Sequence, residues 1–180
     1  MARERILYGF EVIYIPRQNG TTYDLSGEYG IGYTSNGEPF YFDKEDFWLI
    51  APYAWWIDKK GYVCTTIENH KNIKMHRLIL KCDNDQVVDH IYHHLNDNRK
   101  SQIRIATHQE NQRNQKINKA NNSGKTGVCL NKKNGKWRAY ITIMNRQKSL
   151  GHYNKFEDAV QARINAEKEY FKEFRYEGVI

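Results

Sequence analysis

The 180-residue sequence predicts an α+β protein in three segments. A β-rich segment covers 1–72, a strand–loop–strand–helix unit covers 73–120, and a three-stranded antiparallel sheet on one helix covers 123–176. Three observations carry this. Short alternating runs in the first segment are separated by Asn-Gly and Lys-Gly turns. Two strand-like runs near the middle are followed by a helix-start signal. After a polar break, three more strand-like runs precede one long amphipathic stretch.

Each element has a local cause. Residues 29–34 and 39–42 flank Ser35-Asn36-Gly37-Glu38, and Asn-Gly suits a tight hairpin because both residues tolerate positive φ. Residues 53–57 and 62–67 flank Asp58-Lys59-Lys60-Gly61, a second hairpin. A short helix is expected after Asp43, through Phe47 to Ile50. Trp48, Trp55 and Trp56 are expected in the core or at a domain interface. Residues 75–80 form a short apolar patch, helix or strand. Residues 86–91 and 103–106 read as strands around the polar loop 93–102. Thr107 precedes Glu110 by three, a capping-box spacing, so a helix is expected to about Asn118. Asn121-Asn122-Ser123-Gly124 reads as a domain linker. Strands follow at 127–130, 137–143 and 149–153, with turns at Lys133-Asn134-Gly135 and Asn145-Arg146-Gln147. Asn154 with Glu157 signals the last helix, whose face carries Phe156, Val160, Ile164, Phe171 and Phe174, with Ala159 and Ala166 nearby.

Composition narrows the function. The aromatic content of 13% can build cores despite 27% charged residues, so global disorder is not expected. No apolar run approaches the ~20 residues of a membrane span, and the first residues do not read as a secretory signal. Three widely spaced cysteines, Cys64, Cys82 and Cys129, argue against a disulfide framework, and a reduced, cytoplasmic setting is expected. Net charge is +7 and unevenly spread. Residues 99–155 hold fourteen Lys or Arg and one acid, Glu110, whereas residues 1–72 hold seven basic and ten acidic side chains. A basic middle between acidic ends predicts a polyanionic partner.

The chemistry concentrates at Val87-Val88-Asp89-His90. Phosphodiester cleavage needs a base to activate water and a cation for the departing oxygen. Adjacent strand residues point to opposite faces, so Asp89 and His90 can serve a metal and a water separately. An Asn in the helix that follows can complete the metal site, and oxygen donors suit Mg²⁺ or a similar divalent ion such as Mn²⁺. A neutral imidazole is basic near physiological pH.

Residues 75–118 resemble the HNH endonucleases, in particular those of phages and homing introns. The resemblance lies in Met75-His76-Arg77-Leu78-Ile79, Val87-Val88-Asp89-His90, Leu95-Asn96-Asp97-Asn98-Arg99-Lys100-Ser101, Gln102-Ile103-Arg104, Ile105-Ala106-Thr107 and Gln109-Glu110-Asn111. It covers about a quarter of the chain and implies a ββα-metal core. It also implies His90 as general base, with Asp89 and Asn111 as metal ligands. The loop-bracing Asn of that family falls on Gln102, a departure, with Asn98 and Asn96 able to share the bracing. Arg99, Lys100 and Arg104 are expected at phosphates. His93, His94 and His108 are the competing imidazoles, and His76 is expected to be structural.

Residues 123–174 resemble the APETALA-type domain of plant ethylene-response factors. The resemblance lies in Ser123-Gly124, Thr126-Gly127-Val128, Gly135-Lys136-Trp137-Arg138-Ala139-Tyr140-Ile141, Leu150-Gly151-His152-Tyr153 and Phe156-Glu157-Asp158-Ala159-Val160. It implies a sheet that reads the DNA major groove. Alternation turns Trp137, Ala139 and Ile141 toward the helix and Arg138, Tyr140 and Thr142 outward, flanked by Asn131, Lys133, Gln147 and Ser149. Val128-Cys129-Leu130 stands where the plant domains carry arginine, so their base preference does not transfer.

The expectation is a metal-dependent endonuclease on double-stranded DNA, nicking if monomeric, with no membrane partner. Its oligomeric state is open, with a monomer slightly favoured. The alternative is a non-catalytic DNA-binding regulator that keeps the HNH core as scaffold. An RNA partner is less favoured, because the basic segment offers few aromatic platforms for unstacked bases.

Overall fold

The computed structural model describes residues 3–8, 11–16, 20–67, 71–83, 85–115, 117–118 and 120–176, with backbone alone for 3–8 and 11–16. The architecture is mixed α/β, several small sheets with few helices. The chain divides into two compact units, Met1–Thr107 and His108–Ile180. No helix among the described residues is long and apolar enough to cross a membrane.

In the first unit β1 (Arg3–Tyr8) pairs antiparallel with β2 (Glu11–Pro16). Strands β3 (Thr22–Asp24), β4 (Gly30–Tyr33) and β5 (Pro39–Phe42) form an antiparallel meander. The Asn36-Gly37 turn closes β4 onto β5. Gly37 has φ 79° and donates its N–H to Thr34 O at 2.9 Å. Glycine at 32 has a packing reason, since a Cβ there would run into the Phe40 ring. Phe40 and Phe42 point inward from alternate positions of β5, both fully buried. A 3₁₀ turn, Lys44–Asp46, leads into α1 (Phe47–Ile50).

A third antiparallel sheet contains β6 (Trp56–Ile57), β7 (Val63–Ile67) and β8 (Lys71–Lys74). Its first turn is held by the Asp58 carboxylate, which accepts the N–H of Lys60 and of Tyr62. Then come α2 (Met75–Ile79) and the antiparallel pair β9 (Val87–His90) and β10 (Ile103–Ala106). The patch at 75–80 is therefore a helix. One core joins all of these: Leu25, Phe40, Phe42, Phe47, Ile50, Trp55, Val63, Met75, Ile79 and Ile103 pack together. The aromatic first segment is thus the wall against which β10 and α2 are built. The three tryptophans differ. Trp55 is buried and donates Nε1–H to Ile50 O, while Trp48 and Trp56 are 51% and 40% exposed.

The second unit opens with α3 (His108–Arg113), which stops short of the expected Asn118. None of the α3 residues is buried, so no packed apolar face holds the helix or extends it past Arg113. Strands β11 (Val128–Asn131), β12 (Lys136–Ile143) and β13 (Arg146–Tyr153) form an antiparallel sheet backed by α4 (Phe156–Phe171). The β12–β13 turn is Met144-Asn145, both at positive φ, rather than Asn145–Gln147. A two-residue turn of this hand fits the strand twist and lets β13 begin at Arg146.

The helix face against the sheet keeps Phe171 and the two alanines of the expected apolar face and adds a buried Arg163 and Glu167. Its buried residues are Ala159, Arg163, Ala166, Glu167 and Phe171, with Phe156, Val160 and Ile164 at the margin. Close approach needs small residues, and Ala159 packs against Ala139 and Val128. Arg163 donates Nε–H to Glu167 at 2.8 Å and also bonds Tyr140 O, while Lys125 reaches Glu167 at 3.0 Å. Gly127, at φ 79°, is the residue over which the Arg163 guanidinium lies, and a Cβ there would collide with it.

Candidate active site

Antiparallel register sets His90 opposite Ile103 and Asp89 opposite Arg104. Both site residues are buried, Asp89 at 3% exposure and His90 at 4%. Asp89 turns to Arg104, whose Nε and Nη2 donate to its Oδ2 at 2.9 and 2.7 Å. His90 turns to an aromatic cluster. Its ring centroid lies 5.0 Å from that of His76, nearly perpendicular, and 5.9 Å from that of Tyr62. The Lys74 ammonium stands 3.5 Å from the centre of the Tyr62 ring. Tyr62 and Lys74 carried no sequence signal as site residues. They arrive here because β7 and β8 fold onto α2.

The loop between β9 and β10 is pinned at several points. Ile91 N–H donates to Gln102 O at 2.9 Å, closing its mouth. At its centre it pairs with β5: Tyr41 N–H donates to Asn96 O, and Asn98 N–H donates to Tyr41 O. Asn98 is fully buried and donates Nδ2–H to Asn96 O at 3.3 Å. The Gln102 side chain lies further out, with Nε2 donating to Ser101 Oγ at 3.3 Å. His93 sits in the turn at φ 62°, and His94 is exposed.

Other predicted contacts have protein partners. Arg99 forks onto Asp97 at 2.9 and 2.6 Å and lies over the Tyr29 ring. Lys100 reaches Asp46 at 3.0 Å and also Glu45. Lys100 is 43% exposed, and such pairs are weak enough to yield to a phosphate. Asn111 is the fourth residue of α3 and half-buried, and His108, exposed, is the first.

In the second unit the outer sheet face carries Arg138, Tyr140 and Thr142 on β12, with Gln147 and Ser149 on β13. Arg138 bonds Gln147 Oε1 and lies 5.3 Å from the Tyr140 ring centre. Lys133 is exposed in the β11–β12 turn. A bulge between Ala139 and Tyr140 shifts the register, so Arg138 faces His152 but Tyr140 faces Ser149.

The chain is similar to a protein named as an HNH endonuclease. That relative, an uncharacterized protein of Acanthamoeba polyphaga mimivirus, is 33% identical over 96 residues, 49% of this chain and 48% of its own length. The chain thus spans about half the length of this curated relative. No protein-family model matches the chain, and no solved structure does.

An HNH-type site asks for a neutral base and a hard-cation donor set. Burial lowers the His90 pKa from 6.5 to about 4, against a smaller upward pull from Asn98 and Asp89. Burial and the adjacent His90 lower that of His76 to about 3. His90 is therefore uncharged at neutral pH and ready to accept a proton, with reduced basicity. Among the described residues no three His, Cys, Asp or Glu side chains converge as a metal cluster. The Asp89 carboxylate is an oxygen donor of the kind Mg²⁺ takes, and Mg²⁺ keeps waters and borrows substrate phosphate oxygens.

Two depressed imidazoles make stability pH-dependent with a definite sign. Below about 6.5 the unfolded chain binds protons that the folded chain refuses, so stability is full above that pH and falls toward pH 4. Urea midpoints followed by tryptophan fluorescence should therefore drop between pH 7 and 4.5. His76→Phe should flatten the slope, and a midpoint independent of pH would refute the buried neutral pair.

Proposed function

We infer that the chain is a metal-dependent DNA endonuclease of the HNH kind, with the outer face of β11–β13 as its DNA-reading surface. The observation that carries this is the adjacent, separately housed Asp89 and His90 at the end of β9. One faces the Arg104 guanidinium and the other is buried beside His76 and Tyr62. The relative's name points the same way.

In this reading His90 takes the proton of the attacking water, and its burial keeps the accepting nitrogen unprotonated at neutral pH. Asn98, with the Gln102 backbone, fixes the loop. Asp89 and Asn111 would hold Mg²⁺ or Mn²⁺, which when bound supplies charge for the departing oxygen. Arg138, Tyr140, Thr142, Gln147 and Ser149 would meet base edges, while Lys133 and Lys100 would meet phosphates that position the duplex. Lys125 is excluded from that role, because its ammonium is spent on Glu167 inside the second unit.

Supercoiled plasmid tests this reading. Incubation of the full chain with Mg²⁺ should convert it to the nicked form, and excess chelator should stop the conversion. Arg138→Ala should redistribute the nicks mapped by end sequencing, since base contacts specify and phosphate contacts position. Nicking that continues undiminished in chelator would defeat the metal-dependent reading.

A further inference from the structure

Asp89 is the carboxylate that the proposed chemistry needs, and Arg104 already grips it. Arg104 stands directly across the β9–β10 ladder, so strand register alone delivers its guanidinium to this carboxylate. Both donors converge on one oxygen, Oδ2, at 2.9 and 2.7 Å. The Asp89 side chain is 4% exposed and that of Arg104 16%. An ionised carboxylate this far out of water needs a compensating cation, and Arg104 supplies it whenever the hairpin forms.

A divalent ion arriving at Asp89 meets that guanidinium as a like charge. With a metal–oxygen distance of about 2.1 Å, the two cations would stand roughly 4–5 Å apart, close enough to repel strongly in a partly dehydrated site. An ion that takes Oδ2 competes directly with the guanidinium for that oxygen. The guanidinium has somewhere to go, because its planar fork fits phosphate oxygens as well as it fits a carboxylate. Arg99 differs in this respect. Its carboxylate, Asp97, belongs to the loop rather than to the site, and Tyr29 stacks on it.

We propose that Arg104 is an exchangeable counter-cation. It holds Asp89 in the metal-free chain and passes to a DNA phosphate when a divalent ion takes the carboxylate. Metal loading and duplex binding then reinforce each other through one side chain, and by linkage the reinforcement is reciprocal. The inference rests on the reading of Asp89 as a metal ligand. It makes Arg104 a positioning residue whose partner depends on the state of the site.

The test measures binding rather than cleavage. Free Mn²⁺ is followed by electron paramagnetic resonance as it is titrated against the full chain without DNA. Arg104→Gln should bind Mn²⁺ more tightly than wild type, by about 5- to 150-fold, the ordinary range for coupling between two sites. Asp89→Asn should lose that binding. A second arm uses fluorescence anisotropy with a labelled random duplex, in a His90→Ala background so that the DNA stays intact. In chelator, Arg104→Gln should bind DNA within about twofold of its parent, because Arg104 is occupied by Asp89. In Mn²⁺ it should bind about tenfold more weakly.

Mn²⁺ binding by Arg104→Gln that is equal to or weaker than wild type, with Asp89→Asn still abolishing it, overturns the exchange and leaves the ligand assignment standing. A DNA affinity that falls equally in both conditions also overturns the exchange. Mn²⁺ binding that survives Asp89→Asn overturns the ligand assignment itself. Should Arg104→Gln lose its fold by circular dichroism, Arg104→Lys carries the test. Its single ammonium grips less well and should bind Mn²⁺ at least about threefold more tightly than wild type, and equal or weaker binding counts against the proposal.

Discussion

His90→Ala is expected to lower Mg²⁺-dependent cleavage by about 10²–10⁴-fold, the contribution of a positioned general base. Duplex affinity at matched salt should stay close to wild type, because affinity comes mainly from phosphate contacts and His90 is buried. The substitution also empties space beside His76 and Tyr62. His90→Gln fills more of that space and separates lost packing from lost base chemistry. It should be as inactive as alanine while melting closer to wild type. Full activity in either variant would remove His90 from the reaction and return attention to His93, His94 and His108.

Asp89→Ala carries the largest combined effect. Cleavage should vanish with the metal donor, and the fold should suffer as well. Asp89 and Arg104 form a buried pair, and deleting one partner leaves the other charge uncompensated, a loss of about 3–5 kcal/mol. Urea unfolding should show that loss directly. Asp89→Ala with Arg104→Met should recover much of the stability and none of the activity, because apolar replacement of a whole buried pair is often neutral. A single Asp89→Ala variant as stable as wild type would mean that the pair contributes nothing. Cleavage that survives in either variant would take Asp89 out of the metal site.

Asp89, His90 and Arg104 mark how far the sequence reached. The two strands at 87–90 and 103–106 were legible as short apolar-bearing runs around a polar loop. The hairpins at Asn36-Gly37 and Asp58–Gly61 were legible because turn residues have local conformational needs. The Arg104 partner was not legible as such. The sequence offers Arg104 as a phosphate contact, and only register sets it across from Asp89. Asn98 and Gln102 illustrate the same limit. Both are amides in one polar loop, and the backbone pairing of 96–98 with Tyr41 is what drives Asn98, and not the Gln102 side chain, into the interior.

Local chemistry by itself determined the strands, the turns, the polarised charge and the residue types of the candidate site, because each follows from the neighbours of a residue along the chain. Tertiary structure alone decided which side chains lost their water. It set His76 and Tyr62 against His90, folded the aromatic first segment into one core with β10, and buried Arg163 and Glu167 beside the alanines of the last helix. Burial is a property of contacts between distant segments. The shift of an imidazole toward pH 4, or the commitment of a guanidinium to one carboxylate, therefore cannot be written in any short stretch of sequence.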